Sequence, residues 1–444
     1  MPAKTLLGVI LFSLLSGNIA RAQRRVTEFF DPRERKHIRK TYTYLDGDSS
    51  LIHGPFKVYH YNGQIEIAGN FVKGKKQGTF NEFYPDGKQR REINYKDGLK
   101  HGTVKVFAPQ GALVQEAEFA QDTLVNRLAV YYPSGKLKSQ THFEKGKPNG
   151  KVEDFYENGQ LRKISHHKDG FAEDTVKSYF EDGKLESVGF FSKGKLSGSF
   201  TSYFPNGKVN TIYNHKDGSK SGAFESYAQN GQLISRGAYE NDKLHGKNTA
   251  YYPDGALKHE LQYEKGELKG ENKYYYPSGK VKIKKKISAP GKDWQEWDYN
   301  EAGNTLAIRI FKMKKPAGKW ITYFPNGKTK EEIPHDKGRK NGLAKRYHEN
   351  GNIASETQYM NNLIIGELKT YHPDGKPESV TLYKLGKKQG PHTSYHPSGM
   401  KACEGKNEGN RKAGEWKYFG EKGKLSKTVL YKRGKVIKET PAKR

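Results

Sequence analysis

Glycine recurs every 24 residues along almost the whole chain. Gly63, Gly87, Gly111, Gly135, Gly159, Gly183, Gly207, Gly231, Gly255, Gly279, Gly303, Gly327 and their successors run on to Gly423, sixteen in all, with no insertion or deletion between neighbours. Only 49 of the 444 residues are glycine, so chance does not produce the series. A metre this strict marks a repeat architecture, in which each unit buries its apolar side chains against its neighbours rather than in one globular core. Four residues before each of these glycines stands an aromatic, without exception, from Tyr59 and Phe83 to Phe419. A second glycine follows eleven residues after the first in ten copies, and a third follows fifteen residues after it in twelve.

The residues around each glycine predict what it does. In "YPDG" (84–87) proline presets φ for the first corner of a turn, aspartate bonds the backbone and glycine takes the left-handed position. The pattern predicts a hairpin loop of three to five residues built on a type I turn with a bulge. Gly63, Gly87, Gly135, Gly207, Gly255 and Gly327 are structural turn residues in this reading. The second cluster, as in "EKGK" (144–147), predicts a turn at the opposite end of the hairpin. Where its glycine is missing, Asp122, Asp242, Asn362 and Asn410 stand in, and these residues tolerate positive φ better than most.

Between turns, side chains alternate with period two: Phe200, Ser202 and Phe204 share one face, and Leu137, Ser139, Thr141 and Phe143 share another. Alternation with a turn about every 12 residues predicts antiparallel strands, not helices. The expected fold is therefore all-β: an elongated, coiled, single-layer antiparallel meander of about sixteen 24-residue β-hairpin repeats. Its roughly 32 strands would span on the order of 150 Å if laid flat. Residues 54–437 form the array. Residues 23–53 fall off the register and are expected to cap the first edge strand, and 438–444 read as a basic tail. The beat falters near 285–316, where the count of 24 holds but two glycines give way and Trp294 and Trp297 appear.

The first 22 residues read differently. Lys4 precedes an apolar run from Leu6 to Leu15 and the small-x-small pattern Ala20-Arg21-Ala22, as in a secretory leader cut after Ala22. The expected location is secreted or periplasmic, with no transmembrane segment in the mature chain. Loss of Lys4 and Arg21 would bring the formal charge from +30 to about +28. A single cysteine, Cys403, excludes an internal disulfide framework.

The motif "YYPDGxLKxExxYEKGxLxG", taken from residues 251–270, resembles the MORN repeat in its bacterial variant form, whose members include YwqK-type antitoxins. The resemblance covers about residues 54–437 and implies β-hairpin repeats that bind or scaffold, some linked to membranes or lipid headgroups. It carries over no catalytic residue. An antitoxin working in the cytosol would not need the leader at 1–22.

The chemistry on offer is thin. His348, His372 and His396 share one slot in three successive repeats, with His60 in the same slot earlier. Equivalent positions lie two strands apart, roughly 9.5 Å, too far for one zinc held by nitrogens at about 2.0–2.1 Å. The slot elsewhere holds Tyr84, Tyr132 or Phe204, so the histidines read as aromatic substitutes. No enzyme activity, cofactor or metal site is expected. Positive charge is the better lead. Lysine follows the first glycine in eight copies, including Lys88, Lys136 and Lys184, and Lys or Arg follows the second-turn slot in nine, including Lys147 and Lys195. Solvation of turns explains such lysines, and so does a pair of basic rims that meet an anionic polymer, lipid headgroups or an acidic protein. Rings in every repeat are explained first by packing between hairpins, before any glycan. The candidate binding residues are Lys136, Lys147, Lys184, Lys195, Trp294 and Trp297. The expected role is a non-enzymatic exported binding or scaffolding module at the cell envelope, acting through basic turn rims on a protein partner or an anionic envelope component. The alternative is an antitoxin-like protein that neutralises a protein partner. Export makes nucleic acid a poor physiological target.

Overall fold

A computed structural model of the protein describes residues 23–45 and 48–442. The leader read at 1–22 lies outside them. Among the described residues the regular elements are 37 strands, with no helix. The chain divides between Ser197 and Gly198 into two compact units, and the same antiparallel meander builds each. In the first unit Lys75–Phe83 pairs with Gln89–Lys96, which pairs with Leu99–Phe107. In the second, Leu363–Tyr371 pairs with Pro377–Lys384, which pairs with Lys387–Tyr395.

Two turns alternate, as the sequence predicts. In the first, the N–H of Gly87 donates to the Tyr84 carbonyl at 2.9 Å and that of Tyr84 to the Lys88 carbonyl at 2.8 Å. Gly87 sits at φ +85°, the left-handed position that closes the type I turn with its bulge. The second turn is a two-residue loop with both residues left-handed: Lys73 and Gly74 at +48° and +76°, Asp97 and Gly98 at +55° and +90°. That is the type I′ geometry, whose twist matches that of the flanking strands. The N–H of its second residue also reaches the preceding repeat, as Gly98 does to the Lys76 carbonyl at 2.9 Å. Where Asp or Asn replaces that glycine, its side chain adds a second link: the Lys100 N–H donates to Asp122 Oδ1 at 2.8 Å and that of Lys340 to Asn362 Oδ1 at 2.7 Å.

The third glycine has a separate task. Gly102, at φ +91°, lies where the pairing slips from Ile93 opposite Val104 to Tyr95 opposite Lys100. It makes a bulge, which bends the strand and sharpens its twist. Asn126 and Asp174 hold the same left-handed place at +53° and +68°.

Each strand gives one residue per face to two rows running across the sheet. One row, formed by residues six and seventeen after each first glycine, is the spine: Phe80 faces Ile93, Ile93 faces Val104, and Val104 faces Ala117. Phe80 is 2% exposed. It lies over Gly69, where a Cβ would stand 2.5 Å from its ring. Phe71 and Tyr95 meet it edge-on at 5.4 and 5.2 Å, and Lys76 Nζ sits 5.0 Å above it. Trp416 repeats this arrangement over Gly405, beneath Lys412 Nζ at 4.3 Å. Large rings over glycine let a single layer bury aromatic surface without a second sheet. The opposite face carries residues five and eighteen after the glycine, and these are largely charged: Glu332 faces Lys345, Lys345 faces Glu356, and Glu356 faces Lys369.

Both ends continue the sheet. The off-register segment covers the first strand of the array by pairing with it. It supplies strands of its own, Gln23–Phe29 paired with Ile38–Leu45, which pairs in turn with Asp48–Tyr59. Hairpin pairing needs alternation and a turn but no 24-residue metre. At the other end Lys435–Pro441 pairs with Leu425–Lys432, Lys427 facing Pro441, so 438–441 continue the sheet instead of forming a tail.

Candidate functional site

The histidine column resolves into structure. A carbonyl only accepts, so a ring nitrogen bonded to one must donate. Nε2 of His348 donates to the Tyr371 carbonyl at 2.8 Å, His396 to Phe419 at 2.9 Å and His60 to Phe83 at 3.0 Å, with His372 to Tyr395 longer at 3.4 Å. The hydroxyls of Tyr84, Tyr132, Tyr156, Tyr252 and Tyr276 make the same bond one repeat onward, at 2.8–3.0 Å. Histidine thus replaces tyrosine as a ring with a donor at its tip. Among the described residues no three His, Cys, Asp or Glu side chains are grouped to hold a metal ion. Burial lowers His335 and His392 from the ordinary imidazole value. Burial, with the bond to Glu260, pushes the Tyr275 phenol up to about 12.

The lysines sort by position. Of the eight after the first glycine, three are drawn onto their own turns: Lys88, Lys184 and Lys376 pair with Asp86, Asp182 and Asp374 at 3.1, 2.8 and 3.2 Å, while Lys136, Lys280 and Lys424 have no ion pair or ring partner among the described residues. Lys208 and Lys328 instead donate to the carbonyls of Asn230 and Asn350 in the next turn. The backbone N–H and ammonium of Lys88 hold the Asp86 carboxyl below its ordinary value. Lysines three residues after the glycine lie over rings, Lys138 over Tyr132 at 5.6 Å and Lys330 over Phe324 at 5.8 Å. Those thirteen after it cover the ring clusters, as Lys76 and Lys412 do, and as Lys220 does over Tyr213 at 4.1 Å.

One row remains. Lys75, Lys147, Lys195, Lys243, Lys315, Arg339, Lys387, Arg411 and Lys435 each begin the strand after the two-residue turn, and all are exposed. None has an ion pair or a ring partner among the described residues. Large exposed apolar side chains interleave with them: Leu99, Phe171 and Leu363 fill the same slot in other repeats, while Leu385 and Met313, the latter 75% exposed, sit in the turns themselves. The first-turn rim shows Tyr61, Met400 and Leu425. Of the sequence-selected lysines, Lys147 and Lys195 therefore lie in the unpaired row, Lys184 is ion-paired on the other rim, and Lys136 is exposed there with no partner.

Trp294 and Trp297 do not form one site, because residues three apart on a strand point to opposite faces. Around them the two faces exchange character. The spine, uncharged from Phe80 to Asn272 and from Trp320 to Val429, becomes Lys285, Glu296 and Arg309, facing one another in register. Glu296 accepts from Lys285 at 2.8 Å and from Arg309 at 3.1 Å, and Arg309 also reaches Asp298 at 2.6 Å. On the other face Trp297, Ile308 and Ile321 succeed one another where neighbouring repeats carry charge. Trp294 occupies the third-glycine slot, and its backbone is not left-handed. The bulge leaves this slot and the register slips instead at Ser288 on the preceding strand, Ile287 facing Trp294 and Ala289 facing Asp293 across a loop in which the Lys292 N–H donates to the Ala289 carbonyl at 3.0 Å. The Trp294 indole stacks on Phe311 at 4.4 Å, and the aromatic row continues through Trp320 to His335 at 5.2 and 4.6 Å.

The profile of the MORN repeat variant family matches residues 52–73, 76–97, 129–145, 148–169, 175–193, 196–217, 244–265, 268–286, 317–337, 340–361 and 365–385, just over half of the chain. Residues 287–316, with both tryptophans, fall between matched segments, as do 98–128 and 218–243. No curated protein matches the chain. Among solved structures, the crystal structure of TcdB2-TccC3 is similar at 12% identity over 93% of this chain and 24% of that one, with a TM-score of 0.15. The Photorhabdus luminescens Tc holotoxin pore with the mutation TccC3-D651A is similar at 13% identity over 94% and 23%, again with a TM-score of 0.15. The chain spans about a quarter of the length of those chains.

Proposed function

The chain belongs to the MORN repeat variant family, and we propose that it is an exported, non-enzymatic binding module that holds to anionic surfaces of the cell envelope through the rim of its two-residue turns. The observation that carries this reading is the row of nine exposed cations without ion pair or ring partner among the described residues, on a rim whose turn lysines Lys73, Lys145, Lys193, Lys265 and Lys337 are exposed and unpaired as well. A cation already paired gains little from a second anion, whereas an unpaired one near an anionic lipid surface contributes about 1 kcal/mol. The interleaved Leu, Met and Phe tips favour a lipid surface over a soluble polyanion, since they offer apolar area to the headgroup boundary beside the charge. The leader read at 1–22 supports export. Neutralisation of a protein toxin, the role implied by likeness to YwqK-type antitoxins, has no comparable feature on either rim.

The test is co-sedimentation of the full chain with phosphatidylglycerol vesicles and with phosphatidylcholine vesicles over a salt series. Binding to the anionic vesicles alone, weakening as salt shortens the screening length, is the expected outcome. Equal binding to both, or none to either, would sink the electrostatic reading. A stoichiometric protein retained in high salt would point to the toxin-partner role instead.

A further inference from the structure

Trp294 is a ring, stacked on one side against Phe311, at a slot that holds no ring in any other copy. The slot fifteen residues after the first glycine holds glycine in twelve copies, Asn126 and Asp174 in two more, and Trp294 in the copy whose bulge leaves this slot. Beside it lies a pocket of about 340 Å³ lined by Leu268, Ile287 and Trp294, with Glu267, Lys285 and Lys314 around them. That volume is at the lower end of the range for small-ligand sites. At its edge a Cβ on Gly291 would stand 3.3 Å from the Glu267 carboxylate.

The charges around the pocket are balanced. Lys285 is neutralised within the Glu296, Arg309 and Asp298 network. That leaves one carboxylate, Glu267, and one ammonium, Lys314, neither with an ion pair among the described residues. Glu267 is also the only acidic residue in the row that elsewhere supplies the nine rim cations. An anion entering here meets Glu267, and a cation meets Lys314. A neutral ring bearing hydroxyls suits both, donating to the carboxylate and accepting from the ammonium, while its C–H face rests on the indole.

We infer that the Trp294 pocket binds one ring of a neutral saccharide, a second binding site that lies at the second-turn rim and does not draw on its row of nine cations. The experiment is binding of the full chain to an array of neutral and acidic oligosaccharides at low and high salt. It compares the wild type with Trp294→Gly and Glu267→Lys, each of which installs a residue that other repeats carry at that slot and so leaves the repeat foldable. Trp297→Thr, on the opposite face, is the control, and circular dichroism checks the fold of each variant. Expected are one or more neutral ligands held equally at both salt concentrations, weakened about tenfold or more by Trp294→Gly, weakened by Glu267→Lys and untouched by Trp297→Thr. No neutral ligand in the wild type, neutral binding indifferent to Trp294→Gly, or equal loss in Trp297→Thr would overturn it. Capture of acidic oligosaccharides alone, removed by salt, would also overturn it and would leave the rim reading standing, just as failure on vesicles would leave this one untouched.

Discussion

The lysines that follow the first turn, eight of them, and the nine cations that follow the second are similar in number and differ in their partners. On the first-turn rim a five-residue loop places an Asp or a free carbonyl within reach of five of the eight lysines that follow a glycine, and their charge is spent on the turn. On the second-turn rim the loop has two residues, both left-handed, and the loops followed by one of the nine cations carry no carboxylate but Asp242, which already accepts from the Lys220 N–H, so the cation that follows projects into solvent. The acceptors that the loop offers, more than lysine count, decide which charge is available to a partner.

The contrast can be broken or sharpened in several ways. Reversing Lys75, Lys147 and Lys195 to Glu removes three cations from the free rim of the first unit. At about 1 kcal/mol each, the expected loss of affinity for anionic vesicles is roughly 100-fold or more. Gly87→Ala forces a side chain into φ +85° and should cost about 1–2 kcal/mol locally, visible as faster amide exchange at Tyr84 and Lys88. Leu385 holds φ +50° in a second turn, so Leu385→Gly should stabilise that hairpin by up to about 1 kcal/mol in thermal unfolding. Tyr132→Phe removes the hydroxyl that donates to the Phe155 carbonyl at 2.8 Å and should cost about 1 kcal/mol in the same assay. The smallest effect is expected on acidification. Because the Asp86 carboxyl lies below its ordinary value of 3.8, the stability it lends is full above that pH and fades as pH falls beneath it. Exchange at the Lys88 amide should then quicken in strong acid, and Asp86→Asn should blunt the change.

Much of this was legible in the sequence because it is local. Both turns, their left-handed residues and the strand alternation follow from residues within a few positions of each other. The histidine slot was readable as an aromatic substitute, though the carbonyl that explains it lies 23 residues away. What stayed hidden depends on register. Gly69 beneath Phe80 and Gly405 beneath Trp416 look like stray glycines until the strands are paired. The third glycine reads as a turn residue until the pairing slips at Gly102. The partition of lysines into paired and unpaired sets turns on neighbours about 20 residues distant, as with Lys88 and the Pro109 carbonyl. The exchange of faces near Trp294 shows only when Lys285, Glu296 and Arg309 are seen side by side. The off-register segment at 23–53 hid its strands for the converse reason, since loss of the metre is not loss of the strand.

The central claim is that the two-residue-turn rim carries the affinity, and matched charge reversals measure it most directly. Vesicle affinity would be followed across a salt series for the wild type, for the triple Lys75, Lys147 and Lys195 to Glu, and for the triple Lys88, Lys184 and Lys376 to Glu, ion-paired lysines whose reversal changes net charge equally on the other rim. The account predicts that the first triple loses most of the affinity and flattens its salt dependence, while the second stays near wild type in both. Equal losses from the two triples would contradict it, because net charge alone would then suffice.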